Sequence, residues 1–206
     1  MEGFLRILLI LVGILAVIII MIALLTPAMD RWGATTSEIT AIFPGDEFVP
    51  EPASIVNRAI TIQAAPEQIY PWIIQLGADK GGMYSYTWLE NMIHCPQTNA
   101  DRIHPEWQNL QVGDLVRMCP EDFGPVPYTV ALLNPFSSIV MGHQDNGNWT
   151  DVWQFVIQPL PEGASRLILR TRTNLTGGIW TIIHPGVFIM ERAMLVGIKD
   201  RVESSR

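Results

Sequence analysis

The segment Asp101-Arg102-Ile103-His104-Pro105-Glu106-Trp107 gathers the densest chemistry in this 206-residue chain. A histidine with carboxylates on both sides can act as a general base, with Asp101 or Glu106 orienting the His104 ring, provided the three converge on a cavity. The same residues can instead cap and tie down a proline-rich loop, with Arg102 paired to an acid. Loop-tethering is the simpler reading, because a sequence does not display convergence. His94, Cys95, His104 and Cys119 are zinc-type ligands, but His94 and Cys95 are adjacent and none of the usual C-x-x-C or H-x3–5-H spacings occurs. No metal and no cofactor is expected. There is no G-x-S-x-G, and neither cysteine sits in a nucleophile signature. His143 and His184 read as a strand-end and a helix-start residue.

Aromatic residues form the second candidate set. Trp72, Tyr84, Tyr86, Trp88, Trp107, Trp153 and Phe155 are mostly core residues in any reading, yet they can also line a pocket, with polar tips that orient a ligand. Met190 and Met194 suit an adaptable pocket wall, although methionine is also ordinary core filler.

The elements that must position these groups follow from periodicity. Arg58–Gln63 alternates as a half-buried strand. Pro66-Glu67 opens a helix with Ile69, Trp72, Ile73 and Leu76 on one face, confined to about two turns by Pro71. A second short helix spans Ser85 to Ile93, with Trp88, Leu89 and Met92 on one side. Residues 94–127 are irregular apart from a brief strand at Asp114–Met118. From Tyr128 the pattern is β. Tyr128, Val130 and Leu132 alternate; Asn134-Pro135 turns the chain into Ile139–Met141. Trp153, Phe155 and Ile157 share a face, Pro161-Glu162-Gly163 turns, and Leu167, Leu169 and Thr171 return. Arg166, Arg170 and Arg172 on the other side of that return strand are expected to stay wet. A helix from about Pro185 to Glu203 closes the chain, with Val187, Met190, Met194 and Ile198 as its stripe.

The chain start has another character. The uncharged run Ile7–Leu25 spans about 28 Å at the helical rise, close to the roughly 30 Å hydrocarbon core of a bilayer. A signal peptide has a shorter apolar region, and Thr26-Pro27-Ala28 is a poor cleavage site. A retained, single-pass transmembrane anchor over residues 1–28 is the expectation, followed by a linker, 29–57, packing on one domain, 58–206. A second span over 177–198 would bury His184, Glu191 and Arg192 and is rejected. Arg6 and Arg31 flank the run on either side, so the basic count barely orients it; an extracytoplasmic domain is preferred. A net charge of −7 argues against nucleic acid or an acidic lipid surface as an electrostatic partner. Cys95 and Cys119 permit one disulfide.

The expected order, with strands in a run and helices segregated, is α+β. The opening Ala59-Ile-Thr-Ile-Gln-Ala-Ala-Pro-Glu-Gln-Ile-Tyr-Pro-Trp72 resembles that of the START-like or SRPBCC superfamily, whose helix-grip proteins include polyketide cyclases and lipid-transfer domains. Arg31-Trp-Gly-Ala-Thr35, Pro44-Gly-Asp-Glu47, Gln75-Leu-Gly77, Gly81-Gly-Met-Tyr-Ser-Tyr86, Trp88-Leu-Glu-Asn91, Asn99 to Gln108 and Phe188-Ile-Met-Glu-Arg192 are similar to a bacterial branch of it. The resemblance implies a curved antiparallel sheet of about six or seven strands around the closing helix, with a cavity between them. Its occupant would be a hydrophobic small molecule or lipid, lined by Trp72, Tyr84, Tyr86, Trp88, Trp153, Phe155, Met190 and Met194. Three functions stay open, since this fold hosts binders and enzymes alike: a membrane-tethered binder, a cyclase, dehydratase or hydrolase using His104, and a scaffold whose cavity is merely core. Non-enzymatic binding is preferred.

Overall fold

Helix α1 (Glu2–Asp30) is apolar around its whole circumference for most of its length, with Ile7 60 % and Leu24 74 % exposed. The computed structural model describes residues 2–120 and 124–205; Met1 and Arg206, the outer limits of the expected anchor and domain, lie outside the described residues. By length and hydropathy α1 is able to cross a membrane. It continues past 28, through Pro27, to Asp30.

Six strands form one antiparallel sheet in the order β1-β6-β5-β4-β3-β2. They are β1 (Ser54–Ile62), β2 (Leu115–Val116), β3 (Tyr128–Asn134), β4 (Ser138–Asp145), β5 (Asn148–Pro159) and β6 (Ser165–Thr173). Between β1 and β2 lie two short helices, α3 (Pro66–Ile74) and α4 (Thr87–Met92). The chain ends in α5 (Ile179–Ser204). The inner face carries Ile62, Val130, Ile139, Met141, Trp153, Phe155, Ile157, Leu167 and Leu169, and these join α3 and α5 in one core. Their alternation along each strand is the period-2 signal of a sheet with one face buried against helices.

The expected helix stripe is only half right. Met194, Leu195, Ile198 and Val202 are 2 % exposed or less, whereas Val187 is 38 % exposed. The helix begins at Ile179, not near Pro185, which lies inside it. Its first turns stay exposed, Val187 among them, and the buried stripe begins only with Ala193 and Met194.

The opposite face of the sheet is not wet either. Arg170 is 1 % and Arg172 8 % exposed, and the Arg166 side chain only 15 %. A strap formed by residues 33–50 covers them. Within it, α2 (Thr36–Thr40) starts in a capping box, with Thr35 Oγ1 accepting from Glu38 N and the Glu38 carboxylate from Thr35 N; this satisfies two otherwise orphan donors. Glu38 binds Arg166 through both carboxylate oxygens, at 2.7 and 2.9 Å. Arg172 Nε donates to Val49 O. Gly45, at φ 95°, has Val140 methyls 2.8 Å from where a Cβ would stand, so the strap crosses β4 only because that residue has no side chain. Alternation along β6 places the three arginines on the outer face, but it carries no information about a segment over a hundred residues away.

Helix α4 is turned over relative to expectation. Trp88 and Met92 are 64 % and 63 % exposed, while Glu90 is buried. A helix of six residues is too short for a moment to override its neighbours.

Candidate functional site

The His104 loop is held from below by Gln75, at the end of α3 and fully buried. Its Oε1 accepts from His104 N at 3.0 Å and Gln108 Nε2 at 3.2 Å; its Nε2 donates to Arg102 O at 3.0 Å and Tyr84 Oη at 2.9 Å. Sequence reasoning missed this residue, although Gln75-Leu-Gly77 was visible; a glutamine at the end of an apolar helical face is the available signal. Above it, Pro105 opens a single 3-10 turn, Pro105–Trp107. His104 Nδ1 lies 3.1 Å from Glu106 Oε1, and the His104 ring stacks on Trp107 with centroids 4.1 Å apart. The Glu106 carboxyl is held below the usual range by its own backbone N–H and by His104. If Nδ1–H donates to Glu106, Nε2 keeps a lone pair and can accept a proton.

Asp101 does not join them. It lines an open cleft of about 420 Å³ with Glu67, Gln68, Trp72, Arg102 and Ile103 among its walls, and neither His104 nor Glu106 is on that cleft. A second cleft, about 240 Å³, lies between Tyr84–Tyr86 and the Arg192–Asp200 part of α5.

The aromatic candidates separate into two groups. Trp72, Tyr84, Trp153, Phe155 and Met194 are all at most 2 % exposed and packed into the main core. Trp72 meets Tyr84 edge-on at 5.7 Å, and Trp153 meets Phe155 at 4.7 Å. Tyr86 and Trp88 are exposed, and Met190 is half-buried, its backbone carbonyl accepting from Ser85 Oγ. The space between α5 and the sheet is therefore occupied by the side chains expected to line it.

Two further sets of titratable groups carry chemistry. Glu90 is 3 % exposed, its Oε2 has no hydrogen-bond partner among the described residues, and burial pushes its carboxyl up to about 7. Such a group can give and take a proton near neutrality, although neither cleft reaches it. On the inner sheet face, His143 Nδ1 is 2.9 Å from Asp151 Oδ1 and Nε2 is 2.8 Å from Val126 O. With acceptors at both nitrogens the imidazolium is favoured, and the Asp151 hydrogen bond raises the His143 pKa. Tyr128 lies against it, ring centroids 4.2 Å apart, and against Trp153 at 5.5 Å; burial raises the Tyr128 pKa. The pairing was illegible because a register shift between His143 and Gln144 decides which residues of β4 and β5 meet. No group of three His, Cys, Asp or Glu able to hold a metal occurs among the described residues. Cys95 and Cys119 form a disulfide.

One strand, two short helices, five antiparallel strands and a long helix gripped by the sheet's inner face complete the architecture. The chain has the helix-grip fold. No family model matches the sequence, and no curated protein matches it. Among solved structures it is similar to a self-sacrificing resistance protein, CalC, from Micromonospora echinospora: 9 % identity, TM-score 0.48, covering 73 % of this chain and 95 % of that one. The Aha1 dimer from Colwellia psychrerythraea gives 17 % identity and a TM-score of 0.46 over 73 % and 96 %. A polyketide-cyclase-like protein from Corynebacterium glutamicum gives 19 % and 0.39 over 73 % and 92 %.

Proposed function

We propose that this helix-grip chain is a membrane-anchored binding domain for a hydrophobic or lipid-like small molecule. One observation carries the reading: α1 has a continuous, unpartnered apolar surface, yet its end is locked to the domain. Arg58 Nε donates to Met29 O at 3.0 Å while Arg58 pairs with Glu191 of α5; His184 Nε2 lies 2.7 Å from Asp30, and Arg192 stacks over Trp32. A domain fixed against a bilayer meets membrane-soluble molecules at raised effective concentration. The ligand would lie between α5 and the sheet, against Trp153, Phe155, Met190 and Met194, whose unbranched methionines repack easily. The disulfide supports an oxidising, extracytoplasmic side, and the charge gives no support to nucleic acid as a partner. Native mass spectrometry of the full chain in mild detergent is the test. Retained mass of an apolar molecule is expected; a bare chain that also fails to take up an apolar fluorescent probe defeats the reading.

The His104–Glu106 pair supports a second reading, an acid–base enzyme of the cyclase, dehydratase or hydrolase kind. His104→Ala separates the two. A binder keeps its probe affinity, whereas such an enzyme loses roughly 10²–10⁴ in rate.

A further inference from the structure

We infer that the first turns of α5, about residues 179–189, are seated in the interfacial layer of the bilayer beside α1, so that the domain rests on lipid and does not hang from a tether. This rests on the reading that α1 crosses the membrane. The C-terminal half of α5 belongs to the domain core, from Met194 to Val202. The N-terminal half is different: Trp180, Ile182, Ile183, Val187 and Ile189 are 39, 67, 38, 38 and 46 % exposed. From Ile179 to Met190 no residue carries Asp, Glu, Lys or Arg.

The chain leaving α1 follows α5 in that helix's own direction. Asp30, at the end of α1, faces His184, and Trp32, in the turn that follows, faces Arg192, so later residues of this segment lie beside later residues of α5. On α1, Ile22, Thr26, Met29 and Asp30 are partly covered and share one helical face. Going back from His184, Trp180 lies about 6 Å nearer the bilayer, beside the end of the apolar run of α1. That depth matches an amphipathic segment in the headgroup–acyl boundary, about 5–10 Å deep. Charge begins at Asp30-Arg31 at the end of α1, level with His184, and on α5 only at Glu191-Arg192, about 10 Å farther from the bilayer. The exposed segment reaches only about 18 Å, too short to span a bilayer, so α5 dips into one leaflet. Lipid is the occupant because Trp180, Ile182 and Ile183 continue, beside the last apolar turn of α1, the surface that helix presents to the bilayer, while Val187 and Ile189 follow up to about 8 Å above Asp30, at headgroup level.

Nitroxide labels on single added cysteines test this in the full chain, whose own cysteines are joined in the disulfide. Leu15→Cys, Ile182→Cys and Asp200→Cys variants are reconstituted in phosphatidylcholine vesicles, and collision with oxygen and with a water-soluble nickel chelate is measured. The Ile182 label is expected to favour oxygen several-fold, between the Leu15 label, deep in lipid, and the Asp200 label, open to nickel. An Ile182 label as open to nickel as Asp200, with Leu15 still in lipid, overturns this inference and leaves the anchor reading intact. An Ile182 label shielded from both reagents means a protein partner or second copy covers the patch, and also overturns it. A Leu15 label open to nickel removes the anchor reading and this inference together.

Discussion

Arg170 donates to Asp46 at 2.7 Å across 124 residues of sequence, on the sheet face turned away from α5. The same guanidinium donates to Asn57 Oδ1, Ala41 O and Glu38 O and lies 4.3 Å over the Phe43 ring. The strap is thus fastened to the sheet through a buried cation whose donors are nearly all satisfied by it.

Removing the carboxylate should release that fastening. Asp46→Ala leaves Arg170 buried without its charge partner, and breaking such a pair from one side costs about 3–5 kcal/mol. Thermal melting of the full chain in detergent should fall markedly. Arg170→Met with Asp46→Leu should recover only part of the loss: it removes the unpaired charge but leaves Asn57 Oδ1 and the carbonyls of Ala41 and Glu38 without the donor that Arg170 supplies. A melt for Asp46→Ala equal to that of the unaltered chain would show that the strap contributes nothing.

Much of the architecture was readable because burial on one face imprints a period on each element. The alternation Trp153, Phe155, Ile157 and its return Leu167, Leu169 needed no tertiary knowledge. What failed was information carried by distant partners. The buried arginines of β6 look like solvent-facing residues until residues 33–50 are seen over them. Glu90 looks like the wet side of α4 until that short helix is seen to face inward with it. The His104–Glu106 pair was legible, since two residues in one turn must be neighbours, but Asp101 on its separate cleft was not.

The His143–Asp151 pair predicts a pH signature. The folded-state pKa of His143 is raised, first by its hydrogen bond to Asp151. Its contribution to stability is therefore fully present below the unfolded value, 6.5, and is lost as pH rises through the folded pKa. His143→Gln should remove that part of the pH dependence and cost about 1 kcal/mol at pH 6. Melting curves that keep the same slope against pH in the variant would contradict the pairing.

Glu90 should act in the same direction for a different reason. Its carboxyl is raised from 4.5 to about 7 by burial, so the unfolded chain ionises it first. Stability falls as pH climbs from 4.5 through 7 and then levels off. Glu90→Gln keeps shape and hydrogen-bonding capacity without that proton linkage. At pH 8 it should be more stable than the unaltered chain by an amount on the order of 2 kcal/mol, and equal to it near pH 4. Chemical denaturation at the two pH values measures the difference.

Met194→Trp tests how the interior accommodates a guest. Met194 is 2 % exposed and packed in the main core with Trp153 and Phe155, so added bulk has no vacant volume to fill. Forcing it in requires off-rotamer side chains and should cost about 1–3 kcal/mol. Met190, one turn earlier and half-buried, should accept the same change with a loss below about 1 kcal/mol. A pocket held permanently open between α5 and the sheet predicts the reverse, with Met194→Trp leaving the melt unaltered and blocking probe uptake. With the closed interior seen here, a ligand must displace α5 side chains to bind. Bound probe should then protect Met194 and the β5 strand amides from hydrogen exchange while loosening Met190 and Ser85, which share a hydrogen bond at the rim. Uniform protection along α5 would mean that the ligand sits outside the grip.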